Sequence, residues 1–208
     1  MKDYNQEYFF IRRKGINYPL IDYINWPDSD IDFLKDIYNE GKIIPFKYGD
    51  PIPDKPELGD LHGCGYKLII SNRLKEQLET MNLKKVQFIP ATIQNQAEEI
   101  VDGYYIIHVH HFIQAMDKNN SDWKKDRKNP DRAVRINKIV LDNNYLEEIP
   151  LEDRLVFALK EHPLTTVYHR SVVEKMLTLQ PTGVGVYCLA DWDGSNPFED
   201  EFREYVMS

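Results

Sequence analysis

The feature that most limits what this chain can fold into is a pattern that occurs twice, without a gap, at a constant offset of 98 residues. Residues 67–90, KLIISNRLKEQLETMNLKKVQFIP, and 165–188, TTVYHRSVVEKMLTLQPTGVGVYC, each read as an apolar run, a polar start, an apolar stripe and a second apolar run. In register, Ile69 matches Val167, Ile70 matches Tyr168, Leu74 matches Val172 and Leu78 matches Met176. Met81 likewise matches Leu179, Val86 matches Val184, Phe88 matches Val186 and Ile89 matches Tyr187. Only Glu76/Glu174, Thr80/Thr178 and Val86/Val184 are identical. A short apolar run followed by apolar positions at i, i+4 and i+7 is the periodicity of a strand leading into a helix. Each copy therefore predicts strand, helix, strand, a packing demand that contains no catalytic group.

Start and stop signals support the two helices. Ser71 stands where an N-cap is expected, ahead of Leu74, Leu78 and Met81. In the second copy Ser171 and Glu174 have the S-x-x-E spacing of a capping box, Val172, Met176 and Leu179 form the stripe, and Pro181 is a stop. Outside the copies, 8–12 is a strand candidate. Residues 29–41 read as a helix capped by Ser29, with Ile31, Leu34 and Tyr38 as its stripe and Gly41 as its stop. Proline and glycine make 45–65 a loop, of a length that is often functional or mobile. The aromatic, β-branched stretch 102–112 predicts a strand, as do 134–140 and 154–160, with Asn143-Asn144 as a turn between the last two.

These elements predict an α+β fold with a mixed or antiparallel sheet and a strand–helix–strand unit at about 67–90 and 165–188. A strictly alternating α/β sheet is the weaker reading. One domain is expected over 1–208, with 1–57 as an aromatic, proline-rich subregion and 190–208 as an acidic C-terminal segment.

Net charge is −8, from 34 acids and 26 bases, which argues against a protein that grips a nucleic-acid backbone unaided. No stretch approaches the roughly eighteen apolar residues of a membrane span. The start, MKDYNQEYFFIRRKG, lacks the basic-then-apolar order of a secretory signal, so a cytoplasmic location is expected. Cys64 and Cys188 are then expected as reduced thiols, a disulfide between them being the less favoured alternative.

No residue is assigned to catalysis, a metal or a cofactor. His108 and His110 share a strand face and His111 takes the other, but two imidazoles are too few for a stable zinc site. Cys188 sits in a strand-like run where a thiol behaves as a small hydrophobe, although His162 or His169 would be the base if it were a nucleophile. Cys64, beside His62 in a glycine-rich loop, is expected to be the more exposed thiol. Gly183-VGV lacks the lysine of a phosphate loop, and the basic segment 124–135, with six Lys or Arg and with Asp126 and Asp131, reads as a solvated loop.

The C-terminal segment differs in kind. Asp191, Asp193, Glu199, Asp200, Glu201 and Glu204 stand among Trp192, Phe198, Phe202 and Tyr205, with Arg203 as the only base. Aromatic anchors ringed by charge suit a protein-binding surface, which makes Asp191, Trp192, Asp193, Asp200 and Glu201 the candidate partner-binding residues. The alternative is a terminal helix whose Phe198, Phe202 and Tyr205 pack on the core.

Over about residues 58–194 the order and spacing of LGDL (58–61), LIISNRLKEQLE (68–79), VQFIPATI (86–93), YYIIHV (104–109), DKNNS (117–121), IVLD (139–142), VYHRSVVEKML (167–177) and GVGVY (183–187) carry a resemblance. The chain resembles a bacterial family, first catalogued as proteins of unknown function, of immunity proteins of polymorphic toxin systems. It departs at His169, where the second copy commonly shows serine. The resemblance implies a non-enzymatic protein that binds and neutralises a cognate toxin; the sequence leaves monomer and homodimer both open. The rival readings are a small metal- or histidine-dependent hydrolase using His108, His110 and loop acids, and a structural adaptor.

Overall fold

The computed structural model describes residues 3–24 and 41–192, so the helix expected over 29–41 lies outside it except for Gly41. In chain order the described strands are β1 (Tyr8–Arg13), β2 (Ile21–Tyr23), β3 (Ile44–Tyr48), β4 (Leu61–Cys64), β5 (Lys67–Ser71), β6 (Val86–Gln94) and β7 (Ile100–Val109). Then come β8 (Phe112–Ile113), β9 (Asp122–Lys125), β10 (Ala133–Lys138), β11 (Val156–Leu159), β12 (His162–His169) and β13 (Val184–Cys188). The helices are α1 (Asn72–Glu79), α2 (Asn143–Glu147) and α3 (Arg170–Leu177). Strands dominate and the helices are few and separate, an α+β arrangement with mixed sheets. Two compact units share the chain: 3–11, 111–174 and 186–192 form one, and 12–24, 41–110 and 175–185 the other.

The second of these is built on a six-stranded sheet of order β2-β3-β6-β7-β5-β4. Only β3 and β6 run parallel; the other neighbours are antiparallel. The sheet curls enough to bring its edge strands β2 and β4 near each other, and both edges are short. Ile21, Phe46, Ile69, Ile89, Ile93 and Ile106 fill the interior, at alternate positions along their strands. Because the side-chain period is two, a one-residue slip would turn this whole set outward, so register here is fixed by burial. In α1 both Leu74 and Leu78 are buried, each worth about 1.5–3 kcal/mol of transfer from water.

The other unit carries a five-stranded sheet of order β13-β1-β12-β11-β8, with β8 parallel to β11 and β12 antiparallel to both β1 and β11. Tyr8, Phe9, Phe10 and Ile11 are all buried, as are all four residues of β11, the pattern of strands covered on both faces. Arg154, expected to open a strand, lies buried ahead of β11. It donates to the Ile149 carbonyl at 2.8 Å and to the Tyr8 and Tyr4 hydroxyls at 3.1 Å. Burial pushes the Tyr8 hydroxyl up to about 12, so it stays a donor, to the Arg154 carbonyl at 3.0 Å.

The structure corrects four local expectations. The 45–65 loop contains β3 and β4, leaving only 49–60 irregular; Pro45 is tolerated because β2 ends where Tyr23 meets Phe46. Asn143-Asn144 opens α2 instead of a turn, because the Asp142 side chain caps it by accepting from Tyr145 N at 3.0 Å. The basic loop is the antiparallel ribbon β9–β10. Finally, α3 starts at Arg170, so Ser171 lies within its first turn; the His169 Nδ1 accepts from Ser171 N at 3.2 Å, taking the capping role expected of the serine.

Candidate functional site

At the end of β13 a short 3-10 turn, Leu189–Asp191, buries Leu189 completely and leaves Asp191 exposed. The next residue, Trp192, is half-buried with its ring edge-to-face on Phe10, centroids 5.2 Å apart. The indole therefore packs on the core while staying partly exposed, one residue after an exposed aspartate. Asp193, Asp200 and Glu201 lie outside the described residues.

The segment 49–60 ends in a polar knot that sequence reasoning missed. Asp60, buried, accepts from Ser71 Oγ at 2.7 Å, Arg73 Nε at 2.7 Å, Arg73 Nη2 at 2.8 Å, Thr182 N at 2.8 Å and Thr182 Oγ1 at 3.1 Å. Burial by itself would raise its pKa, but hydrogen bonds from Arg73, Thr182 and Ser71 outweigh it and hold the carboxyl well below the usual carboxylate range. Ser71 consequently gives its hydroxyl to Asp60 and makes no side-chain cap to α1, contrary to expectation. The chain closes against the knot at Gly183, φ +76°, where an added Cβ would meet the Leu61 carbonyl oxygen at 2.7 Å. The LGDL stretch marked Asp60 in the resemblance, but nothing local could point to Thr182, 122 residues away.

Next to this knot His62 is fully buried and held on both sides. Its Nε2 accepts from Gly59 N at 3.0 Å and its Nδ1 faces the Pro19 carbonyl at 3.1 Å, an arrangement that fixes the neutral Nδ1–H tautomer. Burial also lowers its pKa. Tyr104 adds a hydroxyl bond to the Gly59 carbonyl at 3.1 Å. A stretch expected to be mobile is thus anchored along its last residues.

Cys64 is not the exposed thiol expected: it is buried in β4, and burial pushes it up to about 11. Cys188, also a free thiol, is raised by burial and points to the Asn5 carbonyl at 3.6 Å. A thiol raised in this way holds little thiolate, the nucleophilic form. His108 and His110 stack on one another, centroids 5.5 Å apart, and His111 turns to the Asp153 carbonyl at 2.6 Å. Among the described residues no three His, Cys, Asp or Glu side chains stand together as metal ligands, and no helix is long and apolar enough to cross a membrane.

A family model for the immunity protein family Imm11 matches residues 44–191, most of the chain. The chain belongs to that family. No curated protein matches the chain. The Imm11 match runs from the first residue of β3 to Asp191, so it contains every member of the Asp60 knot and stops one residue short of Trp192. It leaves out β1 and Glu7. Within Imm11 terms, then, the knot is part of what the family model describes, and the aromatic end of the chain is not.

Proposed function

We propose that this Imm11 protein acts in the bacterial cytoplasm as a non-enzymatic immunity protein of a polymorphic toxin system, binding and neutralising one cognate toxin. The observation that carries the reading is the Imm11 match over 44–191. The chemistry of the described side chains supports it: the two thiols are buried and raised, and His62 is held neutral between two backbone groups. Binding is preferred to hydrolysis at His108 and His110 because those rings stack on each other. The segments 67–90 and 165–188 are, in this reading, one strand–helix–strand unit used twice, a scaffold for surfaces displayed around it.

We propose Asp191 and Trp192, continued by Asp193, Asp200 and Glu201, as the toxin-contacting surface, with the segment 45–65 as a second contact. An immunity protein must associate quickly, and like charges steer an oppositely charged partner. The half-buried indole supplies area at little rotamer cost. Binding kinetics against the cognate toxin at two salt concentrations test this. Asp191→Asn, Asp193→Asn, Asp200→Asn and Glu201→Gln together are expected to slow association and weaken its salt dependence. Trp192→Ala is expected mainly to speed dissociation, with a thermal melt reporting any loss of packing on Phe10. Unchanged rates in both variants would move the interface elsewhere.

A further inference from the structure

The ribbon β9–β10 pairs with neither sheet and is the most basic part of an acidic chain. Residues 118–138 hold eight Lys or Arg and three Asp, in a chain whose net charge is −8. The end of the ladder next to its loop is fixed: Ala133, which pairs with Lys125, is buried and donates its N–H to the Glu161 carbonyl at 2.7 Å. Its tip is ordered, because Asp126 accepts from Lys128 N at 2.6 Å and its own N–H bonds the Arg132 carbonyl at 2.9 Å. Along the ladder and its loop, Lys124, Arg127, Lys128, Arg132 and Arg135 are exposed.

Two details are unexplained by folding. Arg135 stands directly across the ribbon from Lys124, a like-charge pair that weakens an antiparallel ladder. Two-stranded ribbons are also marginal in water on their own, so a sequence selected for stability alone would not place repulsion there. The indole of Trp123, half-buried, is oriented by its Nε1–H bond to the Lys118 carbonyl at 3.0 Å and flanked by Lys118 and Lys125, 5.9 and 5.6 Å from its ring centre. An oriented aromatic among cations, of which Lys118 pairs with Asp131 at 2.9 Å while Lys124 and Arg135 face each other, is the makeup of a binding surface.

We propose that the β9–β10 ribbon docks onto an acidic patch of a partner protein, Trp123 serving as the anchor and Lys124, Arg127, Lys128 and Arg135 as the steering charges. A protein is favoured over a nucleic acid for two reasons. Asp122, Asp126 and Asp131 are interspersed with the cations, which suits a surface of mixed sign and opposes a uniform row of phosphates, and the chain's net negative charge adds repulsion along a nucleic acid. The proposal rests on the immunity reading insofar as the partner is the cognate toxin.

The test is toxin-binding kinetics for the full chain carrying Lys124→Glu, Arg127→Glu and Lys128→Glu, all exposed positions, with a thermal melt to confirm folding. Association is expected to slow about tenfold or more at low salt, the gap closing as salt screens the charges. Trp123→Ala is expected to speed dissociation without that salt dependence. Wild-type rates in both ribbon variants would overturn the proposal while leaving the immunity reading intact, provided that the wild-type chain binds. A wild-type chain that does not bind the toxin overturns both. Binding of a short duplex DNA by the wild-type chain, lost in the charge-reversed variant while toxin binding is unchanged, would replace it with a nucleic-acid surface.

Discussion

After α1, Thr80 Oγ1 donates to the Gln77 carbonyl at 2.7 Å, Met81 N bonds the Leu78 carbonyl, and Asn82 N bonds the Glu79 carbonyl. After α3, Thr178 Oγ1 donates to the Lys175 carbonyl at 2.7 Å, Leu179 N bonds the Met176 carbonyl, and Gln180 N bonds the Leu177 carbonyl. Each of these partners stands 98 positions from its counterpart. Left-handed backbone recurs at the same offset, at Asn82 (φ 50°) and Gln180 (φ 48°), then at Lys85 (φ 51°) and Gly183 (φ 76°). The helix entries are different. Asp60 meets Ser71 and Arg73 through hydrogen bonds of 2.7–2.8 Å, whereas Glu7 stands 3.6 Å from His169 Nε2 and 3.8 Å from Arg170 Nε. The backbone bonds at the entries are also shifted by one position: the Asp60 carbonyl accepts from Ser71 N, whereas the Glu7 carbonyl accepts from Arg170 N, the counterpart of Asn72.

The difference teaches which positions answer to geometry alone. A helix exit must satisfy orphan carbonyls and turn the chain into the next strand, and one solution serves both copies. An entry can be secured by any acid that arrives ahead of the neighbouring strand, so side chains there are free to diverge. Asp60 precedes β4, which pairs with β5; Glu7 precedes β1, which pairs with β12.

Burial gives the largest test of that equivalence. Leu78 and Met176 are both buried to about the same extent, 1% exposed, so Leu78→Ala and Met176→Ala are each expected to cost about 2–5 kcal/mol in chemical denaturation. A near-zero cost at one and not the other would break the comparison.

The entries should respond unequally. Asp60→Ala orphans the Ser71 hydroxyl and the Thr182 N–H, while the half-exposed Arg73 recovers water; about 2–3 kcal/mol is expected. Glu7→Ala, at a carboxylate 22% exposed against 9% for Asp60, is expected to cost less than Asp60→Ala. The Asp60 carboxyl is depressed in the folded state, so its contribution is present above the unfolded value near 4 and is lost as pH falls through the lower folded value. Asp60→Asn should therefore flatten the acid limb of the stability profile, and an unchanged limb would remove Asp60 from the account.

The exits predict the smallest effect, and an opposite sign. Gln180 holds a left-handed conformation that glycine adopts freely, so Gln180→Gly is expected to stabilise by about 1 kcal/mol. Asn82→Gly should gain less, because asparagine tolerates that region. Destabilisation at Gln180 would mean that its side chain is held by contacts Asn82 lacks.

Much of this was legible in advance where one property decided the structure. Matching apolar positions located Leu74, Leu78, Val172 and Met176 correctly in the core, because periodicity alone sets which face a helix buries. The joining of Asp60 to Thr182 and of Glu7 to Arg170 was not legible, since each pair stands more than a hundred positions apart and leaves no local spacing. His169, where the family commonly shows serine, caps α3 with its ring because the helix begins two residues earlier than the S-x-x-E spacing implied. Proline and glycine disguised β3 and β4, whose short alternations are weaker than the turn signals between them. Of the proposed contact residues, Asp191 is exposed and Trp192 packs on Phe10, so the indole serves the core as well.

Titrating a fixed amount of the cognate toxin with the purified chain, and reading the toxin's own activity, tests the central claim most directly. The account predicts that activity falls linearly to near zero at a stoichiometric ratio set by a tight complex, and that the inhibitory chain is recovered chemically unchanged. Full toxin activity in the presence of excess folded chain would contradict it.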